Sequence, residues 1–335
     1  MQKTIFVVDD SLSNLSLAEE ALENHYRVIT LSSAEKMYKT LEKLVPDLIL
    51  LDIAMPDESG FDAMKKLKSN RAYADIPVIF LTALTDTFNE ALGIELGAID
   101  FITKPFSEAV LLNRVKNHIQ IDELVQKRTE QLNSMKDSIV LTMSSLVESR
   151  DVCTGGHIER TTRFLKLLMD AMVDQGVYTN EIEEWDIDSF VSSARLHDVG
   201  KIYVADTILN KPKSLSNNEF ESVKAHSSEG EKIIDQMIKQ TGDMEFLHSA
   251  KLVAAYHHER WDGTGYPYGL EGTAIPLPGR LMALVDVYDA LVSERPYKKP
   301  MPHDEAVKTI VRLAGTHFDP KIVEVFGSIH ESFAL

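Results

Sequence analysis

Over the first third of the chain, short continuous apolar runs alternate with stretches whose apolar residues recur every three to four positions. Ile5-Phe6-Val7-Val8, Asp47-Leu48-Ile49-Leu50-Leu51 and Val78-Ile79-Phe80-Leu81 read as strands buried on both faces of a parallel sheet. Arg27-Val28-Ile29-Thr30 and Ile99-Asp100-Phe101-Ile102 are weaker examples of the same pattern. Helical periodicity lies between them, near 12–24, 34–44, 60–68 and 86–96, and from 106 onward. This alternation predicts an open, doubly wound α/β domain over 1–118, with its site at the C-terminal strand ends.

From Phe106 no proline or glycine occurs until Gly155. Val125, Leu132, Ile139 and Leu146 stand seven apart, with Ile121 and Met135 in the companion register and Arg128 and Thr142 interrupting it. Flanked by Glu123, Lys127, Glu130, Lys136 and Asp137, this stripe predicts a helical connector over 119–140. It would pair with a second copy as a parallel coiled coil, while its end packs on its own second domain. Residues 141–335 read as all-helical, with patterns near 139–150, 157–175, 184–198, 219–239, 244–258, 279–292 and 303–314. Turn residues mark Lys211-Pro212-Lys213-Ser214 and the segment 262–279.

At 335 residues the chain has material for two cores. A net charge of −17 argues against a nucleic-acid polymer or an anionic membrane as partner, but leaves room for a small anion received by a local cation. The single Cys153 excludes an internal disulfide. With no signal peptide and no apolar run long enough to span a bilayer, a cytoplasmic protein is expected.

The chemistry of the first domain sits at its predicted strand ends: Asp9 and Asp10, Asp52, Thr82 and Lys104. Three gathered carboxylates repel one another unless a cation such as Mg²⁺ lies among them. A lysine would neutralise a transferred phosphoryl group and a threonine hydroxyl would bond it; the plainer alternative is that the aspartates cap helices and turns. Asp9-Asp10, Asp52-Ile53-Ala54-Met55-Pro56 with Gly60, Leu81-Thr82-Ala83 and Lys104-Pro105-Phe106 together resemble the flavodoxin-like receiver domain of bacterial response regulators. That resemblance implies that Asp52 accepts phosphate from a sensor histidine kinase. It also implies that Asp9 and Asp10 hold Mg²⁺ with the Ala54 carbonyl, and that Thr82 and Phe101 are the switch residues. Lys104 would contact the phosphate, and the Lys104-Pro105 bond would be cis.

In the second half, Arg195-Leu196-His197-Asp198-Val199-Gly200-Lys201 sets an imidazole beside a carboxylate. The pair is a ligand set for a divalent transition metal, but alone it reads rather as a surface histidine closing a helix C-terminus. His157 upstream, and His226, His257, His258 and Asp286 downstream, offer more ligands than one ion uses and point to a site with more than one metal. In His257-His258-Glu259-Arg260-Trp261-Asp262-Gly263-Thr264-Gly265-Tyr266-Pro267 the glycines would let backbone approach a ligand, and Trp261 and Tyr266 offer faces for a base.

This stretch resembles the HD-GYP family of cyclic di-GMP phosphodiesterases. Thr154-Gly155-Gly156-His157 with Arg160, the His197–Lys201 segment, His226 with Gly230, Asp286-Val287-Tyr288-Asp289-Ala290-Leu291, Arg295-Pro296-Tyr297 and Gly315-Thr316-His317-Phe318-Asp319-Pro320 support it. The resemblance implies His157, His197, Asp198, His226, His257, His258 and Asp286 as ligands of two divalent transition metals, iron or manganese, bridged by Asp198. Lys201 would hold a phosphate oxygen; Gly263, Gly265, Tyr266, Pro267 and Arg295, helped by Lys298, would bind substrate. Asp289, three residues after Asp286, would orient a ligand. His248, His303, His317 and His330 read as structural imidazoles. Two features depart from the family: Cys153 stands where some relatives carry a glutamate for a third metal, and Tyr203-Val204-Ala205-Asp206 replaces an Ile-Pro.

The activity expected is phosphorylation-controlled hydrolysis of cyclic di-GMP to pGpG, GMP or both. Two alternatives stay open: a weakly catalytic dinucleotide sensor acting through protein partners, and a phosphodiesterase for another cyclic dinucleotide.

Overall fold

The computed structural model describes residues 2–82, 92–150, 156–183, 185–242, 244–294 and 299–334. It divides into two compact units, Met1–Gln131 and Leu132–Leu335, the division falling inside the expected connector.

The first unit is a five-stranded parallel sheet in the order β2-β1-β3-β4-β5. Its strands are β1 (Thr4–Val8), β2 (Arg27–Leu31), β3 (Leu48–Asp52), β4 (Val78–Thr82) and β5 (Asp100–Thr103). The three central strands are buried along their whole length, which is why their sequences are unbroken apolar runs. The edge strands β2 and β5 are partly exposed and tolerate Arg27 and Asp100. Alternate residues face opposite layers: Phe6, Val8, Ile49, Leu51 and Phe80 in one core cluster, Ile5, Val7, Leu50 and Leu81 in the other. Helices α1 (Leu12–Leu22), α2 (Ala34–Leu41) and α3 (Gly60–Ser69) cover the sheet. Of the helix expected at 86–96, residues 83–91 lie outside the described residues and 92–95 are helical.

Glu108–Glu148 forms one helix of 41 residues, α4. Its Leu111, Val115 and Ile119 complete the second receiver-side cluster. The heptad residues Val125, Leu132, Ile139 and Leu146 are 56%, 67%, 46% and 62% exposed, so the stripe is left uncovered among the described residues. The end of the helix does pack on the second unit, but through Val140, Ser144 and Val147, not through Ile139 and Leu146. Val140 joins a cluster with Leu196, Val199, Ile234 and Ala250.

The second unit is helical throughout its described residues: α5 (His157–Asp174), α6 (Thr179–Ile182), α7 (Ile187–Ser193), α8 (Asp206–Leu209), α9 (Asn217–Thr241), α10 (Glu245–Tyr256), α11 (Leu277–Val292), α12 (His303–Arg312) and α13 (Pro320–Ile329). Phe164, Leu168, Leu281, Tyr288, Phe326 and Phe333 anchor its main core. The helix expected over 184–198 stops at Ser193 and gives way to 3₁₀ turns at Ala194–Leu196 and Val199–Tyr203. Gly200, in the second turn, lies so close to α9 that a Cβ would sit 2.0 Å from the His226 carbonyl oxygen. Only glycine permits that approach, and it brings Asp198 beside His226. Helix α13 follows Asp319, whose carboxylate accepts from the Lys321 amide at 2.9 Å, with Pro320 in the first turn.

Candidate metal centre

In the first unit, oxygens of Asp9, Asp10 and Asp52 lie within 4.8 Å of one another at the ends of β1 and β3. Lys104 places its Nζ 2.6 Å from Asp9 Oδ2 and 2.7 Å from Asp52 Oδ1. Asp9 also accepts from the Ser11 amide at 2.9 Å and from Asn14 Nδ2 at 3.1 Å. Burial pushes the Asp52 carboxyl up, against the pull of Lys104 and the Ala54 amide. Thr82 is buried at the end of β4, and its carbonyl accepts from the Lys104 amide at 2.7 Å. Phe101 stacks on Phe80, ring centroids 5.6 Å apart, where a Cβ on Gly93 would lie 2.5 Å from its Cζ. The Lys104-Pro105 bond is cis. The cluster can hold a hard cation and accept a negatively charged group.

The second unit assembles two clusters from four helices and a turn. His157 opens α5, His197 and Asp198 link the two 3₁₀ turns, His226 lies on α9, and His257 and His258 follow α10. His157, His197 and Asp198 each bring a ligand atom within 4.8 Å of the others, as do His226, His257 and His258. Asp286, on α11, places Oδ1 3.6 Å from His157 Nε2.

The tautomers follow from what each Nδ1 meets. His197 Nδ1 is 2.9 Å from the Ala194 carbonyl, His226 Nδ1 2.6 Å from that of Val223, and His257 Nδ1 3.0 Å from those of Val253 and Ala254. A carbonyl only accepts, so these nitrogens carry the proton and Nε2 of each neutral ring is a bare lone pair. His157 Nδ1 is likewise 2.7 Å from Asp289 Oδ2, and Arg160 Nε grips the other oxygen of that carboxylate at 2.5 Å. Yet His157 Nε2 lies 3.2 Å from His197 Nε2, and His226 Nε2 3.2 Å from His257 Nε2. Lone pairs facing each other at that distance repel unless a cation accepts both. Asp198 Oδ1 is buried without a hydrogen-bond partner among the described residues, 3.4 Å from His226 Nε2, while Oδ2 lies 3.3 Å from His197 Nε2. These donors fit divalent metal ions.

Electrostatics favour the ligand-competent neutral forms of His226, His257 and His258, whereas for His197 burial, which would lower it, is outweighed by Asp198, which raises it. Burial together with His226 and His197 lowers His257 to about 3, and burial holds His258 well below its usual value. Burial would raise Asp198, but Lys201, His197 and His226 outweigh it and hold the carboxylate well below its ordinary range. Lys201 Nζ stands 2.7 Å from Asp198 Oδ2.

The Tyr266 ring lies 4.8 Å from that of His258, with Lys224 Nζ 5.6 Å from the Tyr266 centroid. A Cβ on Gly265 would meet Arg260 N at 2.3 Å and Glu259 Cα at 2.5 Å, so this glycine lets the loop close against the chain's own backbone. Gly263 has φ of 75°, and Tyr266-Pro267 is cis. Sequence reasoning passed over Glu259. Its buried carboxylate accepts from the amides of Tyr268, Gly269 and Leu270 at 2.7, 3.2 and 3.0 Å, folding the loop that carries Tyr266. Its only signal was its place beside the paired histidines. His303 bonds Tyr288 and His330, and His317 stacks on Phe318, as structural imidazoles do. Arg295, Lys298 and Cys153 lie outside the described residues.

A family model described as the response regulator receiver domain matches residues 5–116, and one described as the HD domain matches residues 123–322. The chain is 39% identical over 340 residues to a protein of Vibrio cholerae serotype O1 called "Probable cyclic di-GMP phosphodiesterase", covering 97% of this chain and 77% of that one. It is 30% identical over 337 residues to the "Cyclic di-GMP phosphodiesterase response regulator RpfG" of Xanthomonas campestris pv. campestris, covering 96% of this chain and 86% of that protein. A third relative, "3'3'-cGAMP-specific phosphodiesterase 2" of Vibrio cholerae serotype O1, is 33% identical over 202 residues, 58% of this chain and 36% of that protein.

Proposed function

This chain belongs to the response regulators that join a receiver domain to an HD domain, and from that membership we propose that it is a two-metal phosphodiesterase of cyclic di-GMP governed by phosphorylation of Asp52. The observation that carries the reading is that bare imidazole nitrogens face each other in two pairs on either side of the Asp198 carboxylate, whose Oδ1 is unpartnered among the described residues. His157, His197 and Asp198 would hold one cation and His226, His257 and His258 the other, with Asp286 completing the set and Asp198 shared between them. When bound, the metals supply a deprotonated water at neutral pH and neutralise phosphate charge. Iron and manganese suit the mixture of imidazole and carboxylate.

The protein's own residues do the rest. Asp289 and the backbone carbonyls fix ring tautomers, so the ligands need no reorganisation. Lys201 brings a cation to a non-bridging phosphate oxygen, and Tyr266 offers its face to a base, with the Gly263–Pro267 loop holding it in place. In the receiver, Asp9 and Asp10 would hold Mg²⁺ with the Ala54 carbonyl, and a sensor histidine kinase donates the phosphoryl group to Asp52. Lys104 bonds that group, while Thr82 and Phe101 respond to it. The exposed heptad stripe of α4 pairs with a second copy.

A second reading, hydrolysis of another cyclic dinucleotide, is favoured by the 3'3'-cGAMP-specific relative. Incubating Mn²⁺- or Fe²⁺-loaded protein, prepared without oxygen, with cyclic di-GMP and with 3′3′-cGAMP separates the two. Faster turnover of cyclic di-GMP to pGpG or GMP, absent in a His197→Ala, Asp198→Ala variant, is expected. Preference for 3′3′-cGAMP moves the assignment to the second reading, and turnover of neither overturns both.

A further inference from the structure

We propose that Glu148 and Arg150 are positioning residues through which the end of α4 sets the geometry of the His157–His197–Asp198 cluster, touching the His226–His257–His258 cluster only through Asp198. This rests on the metal-centre reading above.

Helix α4 begins in the receiver core, at Leu111, Val115 and Ile119, and its last residues close on the segments that carry His157, His197 and Asp198. Glu148 Oε1 accepts a hydrogen bond from the His157 amide at 2.9 Å. That amide is the first of α5, and the preceding Gly156, at φ 73°, supplies no side-chain cap. The Glu148 carboxylate stands in for the missing cap and places its charge at the positive end of the helix. Arg150 spreads its guanidinium over the other segment. Nη1 donates to the Ile202 carbonyl at 2.9 Å and Nη2 to that of Val204 at 2.9 Å, while Nε and Nη2 donate to Asp206 Oδ1 at 3.0 and 2.7 Å. The weaker contact from Nη1 to the Lys201 carbonyl, 3.4 Å, lies in the same turn. This turn carries Lys201 and directly follows Asp198. Asn210 Nδ2 fastens the arrangement from the far side, donating to the Arg150 carbonyl at 2.8 Å.

The rigid fork of an arginine suits such multiple gripping, which a lysine would not reproduce. The second cluster takes its orientation from elsewhere: His226 from the Val223 carbonyl of α9, and His257 from the Val253 and Ala254 carbonyls of α10. A displacement of the end of α4 therefore reaches His157 and the Asp198 turn through two side chains, and bears most on the cluster to which both belong, reaching the other only through Asp198 Oδ1.

The test is calorimetric titration of Mn²⁺ into the metal-free full chain. In a His258→Ala background, which leaves the first cluster intact, Arg150→Ala should weaken Mn²⁺ binding about 10- to 100-fold, the range for residues that orient metal ligands. In a His157→Ala background, which disables that cluster, the same substitution should weaken binding less than about 10-fold, since only Asp198 carries its effect to the second cluster. Glu148→Ala should repeat the pattern and Arg150→Lys fall between. Equal weakening in both backgrounds, or in neither, overturns the proposal. Failure of the parent chain to bind Mn²⁺ overturns the metal-centre reading and this inference with it.

Discussion

Asp198 is the residue on which the second unit converges, with one carboxylate oxygen toward each histidine cluster and Lys201 alongside. Asp198→Asn keeps the shape but removes the bridging charge. It should lower hydrolysis by more than about 100-fold, the upper range for residues that only orient ligands, with metal content falling in parallel. Lys201→Met should instead cost about 10²–10³ in kcat while both metals stay bound, because a donor to developing phosphate charge is lost. Metal analysis beside steady-state kinetics distinguishes the two. Glu259→Ala leaves three amides without their acceptor, each worth about 1–3 kcal/mol if it stays buried. A lower denaturation midpoint and a raised KM, from a displaced Tyr266, are the expected outcome. The residues that gather here were legible in the sequence because imidazoles and carboxylates stand in motifs with few structural uses. Glu259 was not: a glutamate beside a glycine-rich loop looks solvated until the amides that surround it are located.

Among the elements, the central strands announced themselves because burial on both faces admits only apolar residues. The His197–Asp198 segment did not. Its apolar spacing suits a helix, and the 3₁₀ winding follows from contact with α9 at Gly200, a tertiary constraint that periodicity does not carry. Gly200→Ala should therefore destabilise the second unit by about 1–3 kcal/mol or more through overpacking, measured by urea unfolding. The loop near Trp261 is tied down by His317, whose carbonyl accepts from the Trp261 amide at 3.0 Å and whose ring nitrogen lies 3.2 Å from Arg260 Nη1. Burial and Arg260 lower His317 to about 4. An unfolded histidine titrates near about 6.5, so below that pH the unfolded chain binds a proton that the folded one refuses. The stability this neutral ring permits is complete above about pH 6.5 and is lost as pH falls toward about 4. His317→Gln should flatten the pH dependence of the unfolding midpoint across that window, and an unchanged slope would show that other groups set it.

For the molecule as a whole, the alternation of strands and helices followed by helices alone announced two units, and the heptad announced the helix between them. Which stripe of that helix packs within the chain was not readable, since Val140 and Val147 lie beside Ile139 and Leu146 and all four are apolar. The exposed stripe predicts a dimer in solution. Leu132→Glu with Ile139→Glu should shift the sedimentation coefficient from dimer to monomer, and a parent chain that sediments as a monomer would remove the coiled coil from the account. The central claim, that catalysis requires metal held by these histidines and Asp198, has a direct measurement. Chelator-stripped protein is titrated without oxygen with Mn²⁺, and bound metal and cyclic di-GMP hydrolysis are followed together. Activity should be absent without metal and rise with occupancy to two ions per chain; hydrolysis that survives stripping, or full occupancy without turnover, would contradict it.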